Sequence, residues 1–175
     1  MTVTRARGPR LPALAQQLRL PVWDRSQARL RERWGFDLAA ADALERSRTL
    51  VAAEPDSAER IVLLAAALSM HGEDDLALQQ ARRAAELQPS LATAHSTLAS
   101  LLVRRGDSAD GLAHARTALD LAGAEPDAGL LYNVGLAEWT AGDRTTAREH
   151  LRRAADALGT DGRVRGPWWR LGRRG

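Results

Sequence analysis

The sequence repeats itself. Residues 58–89, 92–123 and 128–158 align at offsets of 34 and 36, and equivalent positions agree in size and chemistry rather than in identity. Leu64, Leu98 and Val134 form one column; Ala65, Ala99 and Gly135 form the next. Glycine recurs at Gly72, Gly106 and Gly142, each followed by an acid: Glu73, Asp107 and Asp143. Small residues recur twice more, at Ala77, Gly111 and Ala147 and at Ala84, Ala118 and Ala154, and an acid returns at Glu86, Asp120 and Asp156. A period of this length belongs to chains built from small supersecondary units. None of these buries its apolar faces alone, so the units stack.

Each unit reads as two helices around a tight turn. The 34 alanines and 27 leucines are strong helix formers, whereas aromatic residues make up only 4% of the chain, so helix is favoured over strand throughout. The recurrent glycine ends a first helix in a conformation without Cβ strain. The acid or hydroxyl after it (Asp107 and Ser108, Asp143 and Thr145) is expected to cap the second helix and to suit its dipole. Alanine and glycine where two helices cross let the backbones approach, and a larger side chain there overpacks.

These residues resemble the tetratricopeptide repeat family. The pattern falls on Ile61, Leu64, Ala65, Leu68, Ala77, Ala81 and Pro89 in one unit, and on Leu131, Val134, Gly135, Glu138, Ala147 and Leu151 in another. The middle unit departs from it with His95 at the large site, and its closing proline is displaced to Pro126. Leu30, Trp34, Ala43, Leu50 and Pro55 lie one period earlier and mark a degenerate unit with Arg31 at a small site. The resemblance implies an all-α, right-handed helical solenoid of antiparallel helix pairs. The expected organisation is a basic N-terminal segment with a short capping helix over 1–23 and a repeat domain over 24–158. Its units are 24–57, 58–91, 92–127 and 128–158, and a basic tail covers 159–175.

The resemblance also implies a concave groove, lined by the first helices, that holds a peptide or helix of a partner protein. The residues point the same way. In the last unit Tyr132, Leu136 and Trp139 form a second apolar stripe at i, i+4 and i+7, on a different face from Leu131, Val134 and Gly135. Such a helix is either buried twice or keeps a face for a partner, and the twice-buried alternative puts Tyr132 and Trp139 under the C-terminal tail. The expected partner-binding residues are Val62, Ser96, Ser100, Arg104, Tyr132, Asn133, Leu136 and Trp139. Asn133, the chain's only asparagine, stands where the family often uses an amide on a ligand's backbone; Arg104 would take an acidic neighbour. Family members that grip chaperone C-terminal carboxylates use a cluster of cations and amides. Val62, Ser96, Tyr132 and Thr140 with a single Arg104 are no such clamp.

Charge is uneven. All 25 basic residues are arginine; residues 1–23 and 157–175 each carry +4, and the stretch between carries −5, for a total of +3. An acidic body with basic ends argues against long-range attraction to nucleic acid. The tail residues Trp168, Trp169 and Arg170 have three open readings: a cover for the last unit, a linear motif for a partner, or a nucleic-acid contact. The tail could also be a substrate, so a carrier whose Trp-Trp/Arg tail is modified or delivered to an enzyme is the alternative to a scaffold. Leu11, Leu14, Leu18, Val22 and Trp23 suggest a short amphipathic helix capping the first unit.

Without cysteine there is no disulfide, thiolate metal site or cysteine nucleophile. No apolar run reaches the roughly 20 residues of a membrane span. Pro12, Gln16, Gln17 and Arg19 break any secretory core near the N-terminus, so a cytoplasmic location is expected. His71, His95, His114 and His150 form no ligand pattern, and the last two are expected on outer surface. Neither catalytic residues, nor a metal, nor a cofactor is expected. Uncapped repeat ends leave room for homo-oligomers.

Overall fold

A computed structural model of the chain describes residues 13–159. They form eight helices: α1 (Ala13–Trp34), α2 (Ala43–Ala53), α3 (Ala58–Met70), α4 (Asp74–Leu87), α5 (Ala92–Arg105), α6 (Ser108–Ala122), α7 (Ala128–Ala141) and α8 (Arg144–Gly159). No strand occurs among the described residues. The three aligned segments are the hairpins α3–α4, α5–α6 and α7–α8; α5 and α7 each pack on both helices of the hairpin before them, and α3 packs on α2.

The turns explain the regular spacing. Gly106 and Gly142 adopt φ of 102° and 96°, a left-handed conformation that favours glycine. The amide of Asp107 then bonds to Leu102 O at 2.9 Å and that of Asp143 to Glu138 O at 2.9 Å. This closes the orphan carbonyls of the first helix. Glu73 repeats the bond to Leu68 O at 3.0 Å. The expected capping acid is present in part. Asp143 accepts from Thr146 N at 3.1 Å, and that backbone bond holds its carboxyl below the usual range. Asp107 makes no side-chain cap and pairs with Arg105 instead.

The apolar columns become the core. Leu64, Leu68, Leu98 and Leu102 interlock with Ala77 and Ala81 between the first two hairpins, and Leu130, Val134 and Ala137 of α7 meet Ala99, Ala115 and Ala118 of the hairpin before. Alanine supplies much of the contact surface, so the backbones sit close and tolerate little added volume.

The first unit departs from the repeat. α1 runs unbroken through residue 23, so the division expected between 23 and 24 falls inside one helix. Its C-terminal part, with Trp23, Leu30 and Trp34, packs with Phe36, Leu38, Ala43 and Leu63 beside the first hairpin. The Leu38 amide donates to Gln27 Oε1 at 2.7 Å and pins the α1–α2 connection. Arg31, at the expected small site, turns outward onto the Asp37 carboxylate. That hydrogen bond lowers the Asp37 pKa. Contrary to the expectation from the sequence, the N-terminal half of α1 does not cap the first unit. Ala15, Leu18 and Val22 lie on Leu131, Leu151, Ala155 and Leu158 of the last one. At 22 residues and 1.5 Å rise per residue, α1 is about 33 Å long, long enough to touch both ends of the stack.

Candidate interaction surface

The expected groove residues lie on α3, α5 and α7, and the structure distributes them over three settings. The first setting is polar and bridges units. Asn133 Nδ2 donates to Ser96 Oγ at 3.1 Å, tying α7 to α5. The amide expected to meet a partner backbone is therefore already engaged within the chain. Ser100 sits one turn further along α5 and, like Ser96, is half-buried. Arg104 donates to Ser69 Oγ at 2.6 Å and to the Asp74 carboxylate, so an acidic partner residue would have to displace Asp74.

Apolar contacts make the second setting. Tyr132 is only 8% exposed and shares a core with Ala15, Leu18 and Val22 of α1, with Leu136 packed against the same cluster. Burial pushes the Tyr132 phenol pKa upward. The cover over this half of the stripe is thus α1. The tail residues that the sequence offered for the role, Trp168 and Trp169, together with Arg170, lie outside the described residues. Val62, on the first hairpin, is elsewhere, half-buried against Ala58 and Ile61 and against Ala94 of α5.

The third setting is the C-terminal end of α7. Trp139 is half-buried, and the guanidinium carbons of Arg144 and Arg148 stand 5.3 and 5.6 Å from its ring centre. Two cations within cation–π range of one indole set an aromatic surface next to fixed positive charge. That combination suits a partner segment with an apolar side chain beside a carboxylate.

Two histidine contacts were not visible in the sequence. His114 and His150, expected on outer surface, turn toward the first helices of their own hairpins. His150 Nδ1 lies 2.7 Å from Glu138 Oε2, and Glu138 is 2% exposed in the column that Leu68 and Leu102 fill elsewhere. A buried carboxylate is tolerated only with such a partner. His95 Nε2 donates to Pro89 O at 3.0 Å, and the Nδ1 atoms of His95 and His114 stand 3.0 Å apart. Histidine recurs at 114 and 150 one unit apart, but a linear pattern does not record which way each ring faces. No cluster of three or more metal-ligating side chains occurs among the described residues. No helix among them is long and apolar enough to cross a membrane.

Paired helices, shared turn chemistry and small-residue crossings define a helical solenoid of the tetratricopeptide type. Solved structures with the same fold are of MamA, a tetratricopeptide repeat protein. MamA 41-end from Desulfovibrio magneticus RS-1 superposes with a TM-score of 0.55 at 18% identity, over 85% of this chain and 77% of that one. A second crystal structure of MamA gives 0.55 at 20% identity, over 88% and 84%. A third gives 0.54 at 16% identity, over 88% and 99%. No protein-family model matches the sequence, and no curated protein matches it significantly.

Proposed function

We propose that the chain is a non-catalytic interaction scaffold that holds a segment of a partner protein against its first helices. One observation carries this reading: α7 is apolar on two faces. Leu130, Val134 and Ala137 are spent on the preceding hairpin, while Leu136 and Trp139 stay half-buried on another side. Tyr132 and Asn133 are occupied by internal contacts, Leu136 packs in part against the α1 cluster, and Trp139 carries Arg144 and Arg148. Leu136 and Trp139 then supply the apolar contact, and Arg144 and Arg148 select for an acidic neighbour. The fold likeness to MamA supports a scaffold, since stacked helix pairs present an extended surface.

The experiment is affinity capture from host lysate with the wild-type chain and Trp139→Ala. Removing a large aromatic anchor is expected to weaken capture of a specific partner at least tenfold, as hot-spot truncations do at roughly 2 kcal/mol, with circular dichroism unchanged. Equal capture by the two proteins would remove Trp139 from the site.

A further inference from the structure

The end face of the last hairpin is where a further unit would begin. In the preceding hairpin, Ala115, Ala118, Leu119 and Ala122 of α6 receive the first helix α7. Shifted by the local repeat of 36, those positions become Leu151, Ala154, Ala155 and Leu158 of α8. These residues receive α1 through Ala15, Leu18 and Val22. α1 thus stands in for the first helix of a unit that the described residues do not supply.

The face has a definite electrostatic character. Asp127, the N-cap of α7, takes Arg29 at 2.7 Å, and the Ala157 carbonyl in the last turn of α8 takes Arg25 at 3.2 Å. A carboxylate and the negative end of a helix dipole favour a cationic ligand. The hold on α1 is also divided. Its C-terminal part is anchored on the first hairpin by Leu30 and Trp34 and by the Arg33–Glu59 ion pair. Pro21, between Leu18 and Val22, lies within the helix, where it offers no amide to the ladder and weakens the helix at that point. The Arg29–Asp127 pair is about half exposed on both sides, where ion pairs hold weakly.

We propose that the α7–α8 end face is an exchangeable helix-docking slot, filled by α1 in the isolated chain and taken over by a basic amphipathic helix of a partner protein. That helix carries a small–Leu–Val stripe at i, i+3 and i+7, followed by arginine. The Phe36–Leu38 anchor keeps the released N-terminal half tethered at high effective concentration, so the chain resists weak competitors and yields to a matched one. The inference rests on the scaffold reading only in taking the competitor to be a protein.

The probe is a fluorescein-labelled synthetic peptide of residues 13–34, titrated by anisotropy against the full chain and against full-length Leu18→Glu. The variant, with its own α1 expelled, is expected to bind the peptide at least tenfold more tightly than wild type, and adding Ala155→Arg to the slot should abolish the gain. Hydrogen exchange on the unaltered chain should show amides 15–28 opening before those of α5 and α7. Any of these results overturns the proposal: no tighter binding by folded Leu18→Glu, loss of the whole fold in that variant, or α1 amides that exchange only with global unfolding. A wild-type dimer that dissociates in Leu18→Glu would assign the slot to a second copy and overturn it equally. The readout lies on α8, apart from Trp139, so its failure leaves the capture experiment to be judged separately.

Discussion

Position 135 has no room for a side chain. A Cβ there would lie 2.8 Å from Leu151 Cγ and 3.1 Å from the Ala147 carbonyl. The preceding hairpin makes the same close approach with the residue types exchanged. Gly111 sits on the second helix, and its Cβ would come within 3.2 Å of the Ala99 carbonyl. Each of these two crossings therefore uses one glycine and one alanine on opposite helices, and the first hairpin uses Ala65 and Ala77. The recurrence of small residues was legible in the sequence because the constraint is steric and local. Gly135→Val is expected to cost about 1–3 kcal/mol, the usual penalty for overpacking a close crossing, read from the urea midpoint at unchanged slope. Gly135→Ala should cost less, since better helix propensity returns up to about 1 kcal/mol. A midpoint unmoved by valine would place the crossing elsewhere.

At the scale of the element, α3 to α8 were legible, with starts at Ala58, Ala92 and Ala128 that fall on the aligned segments. Glycine turns and period-matched leucines act within one hairpin, so a linear pattern records them. Contacts between distant residues leave no such trace. Arg29 and Asp127 are 98 positions apart, and the Ala15–Leu18–Val22 stripe of α1 looks the same whichever end face receives it. The histidines are a similar case, because a ring on a second helix can face out or in. Burial holds the His114 pKa down, with repulsion from His95 and Arg82 adding to the effect and Asp110 opposing it. The unfolded chain then takes up that proton first. Stability present above the ordinary imidazole pKa of about 6.5 is lost as pH falls through that value toward the lower folded one. The thermal midpoint should drop across this window, and His114→Gln, matching Gln80 one unit earlier, should flatten the profile. Parallel profiles for the two proteins would dismiss the histidine contact as the cause.

At the scale of the whole molecule, α1 joins the two ends of the stack: Leu30 and Trp34 pack on the first hairpin, Ala15 and Leu18 on the last. The cover that the sequence offered for the last unit was the tail, whereas the structure places α1 on that face. Covering that face from within also removes one of the open ends through which copies of the chain would stack. A chain so arranged offers partners its first-helix side near Trp139 and an end face already occupied, two surfaces with different chemistry. The absence of cysteine makes this arrangement directly testable. Leu18→Cys and Leu158→Cys, placed together and treated with a short bifunctional thiol reagent, should give a bridge within one chain, seen by peptide mass mapping at monomer mass. Two unbridged thiols, or bridges found only between chains, would contradict the closure of the solenoid by its own first helix.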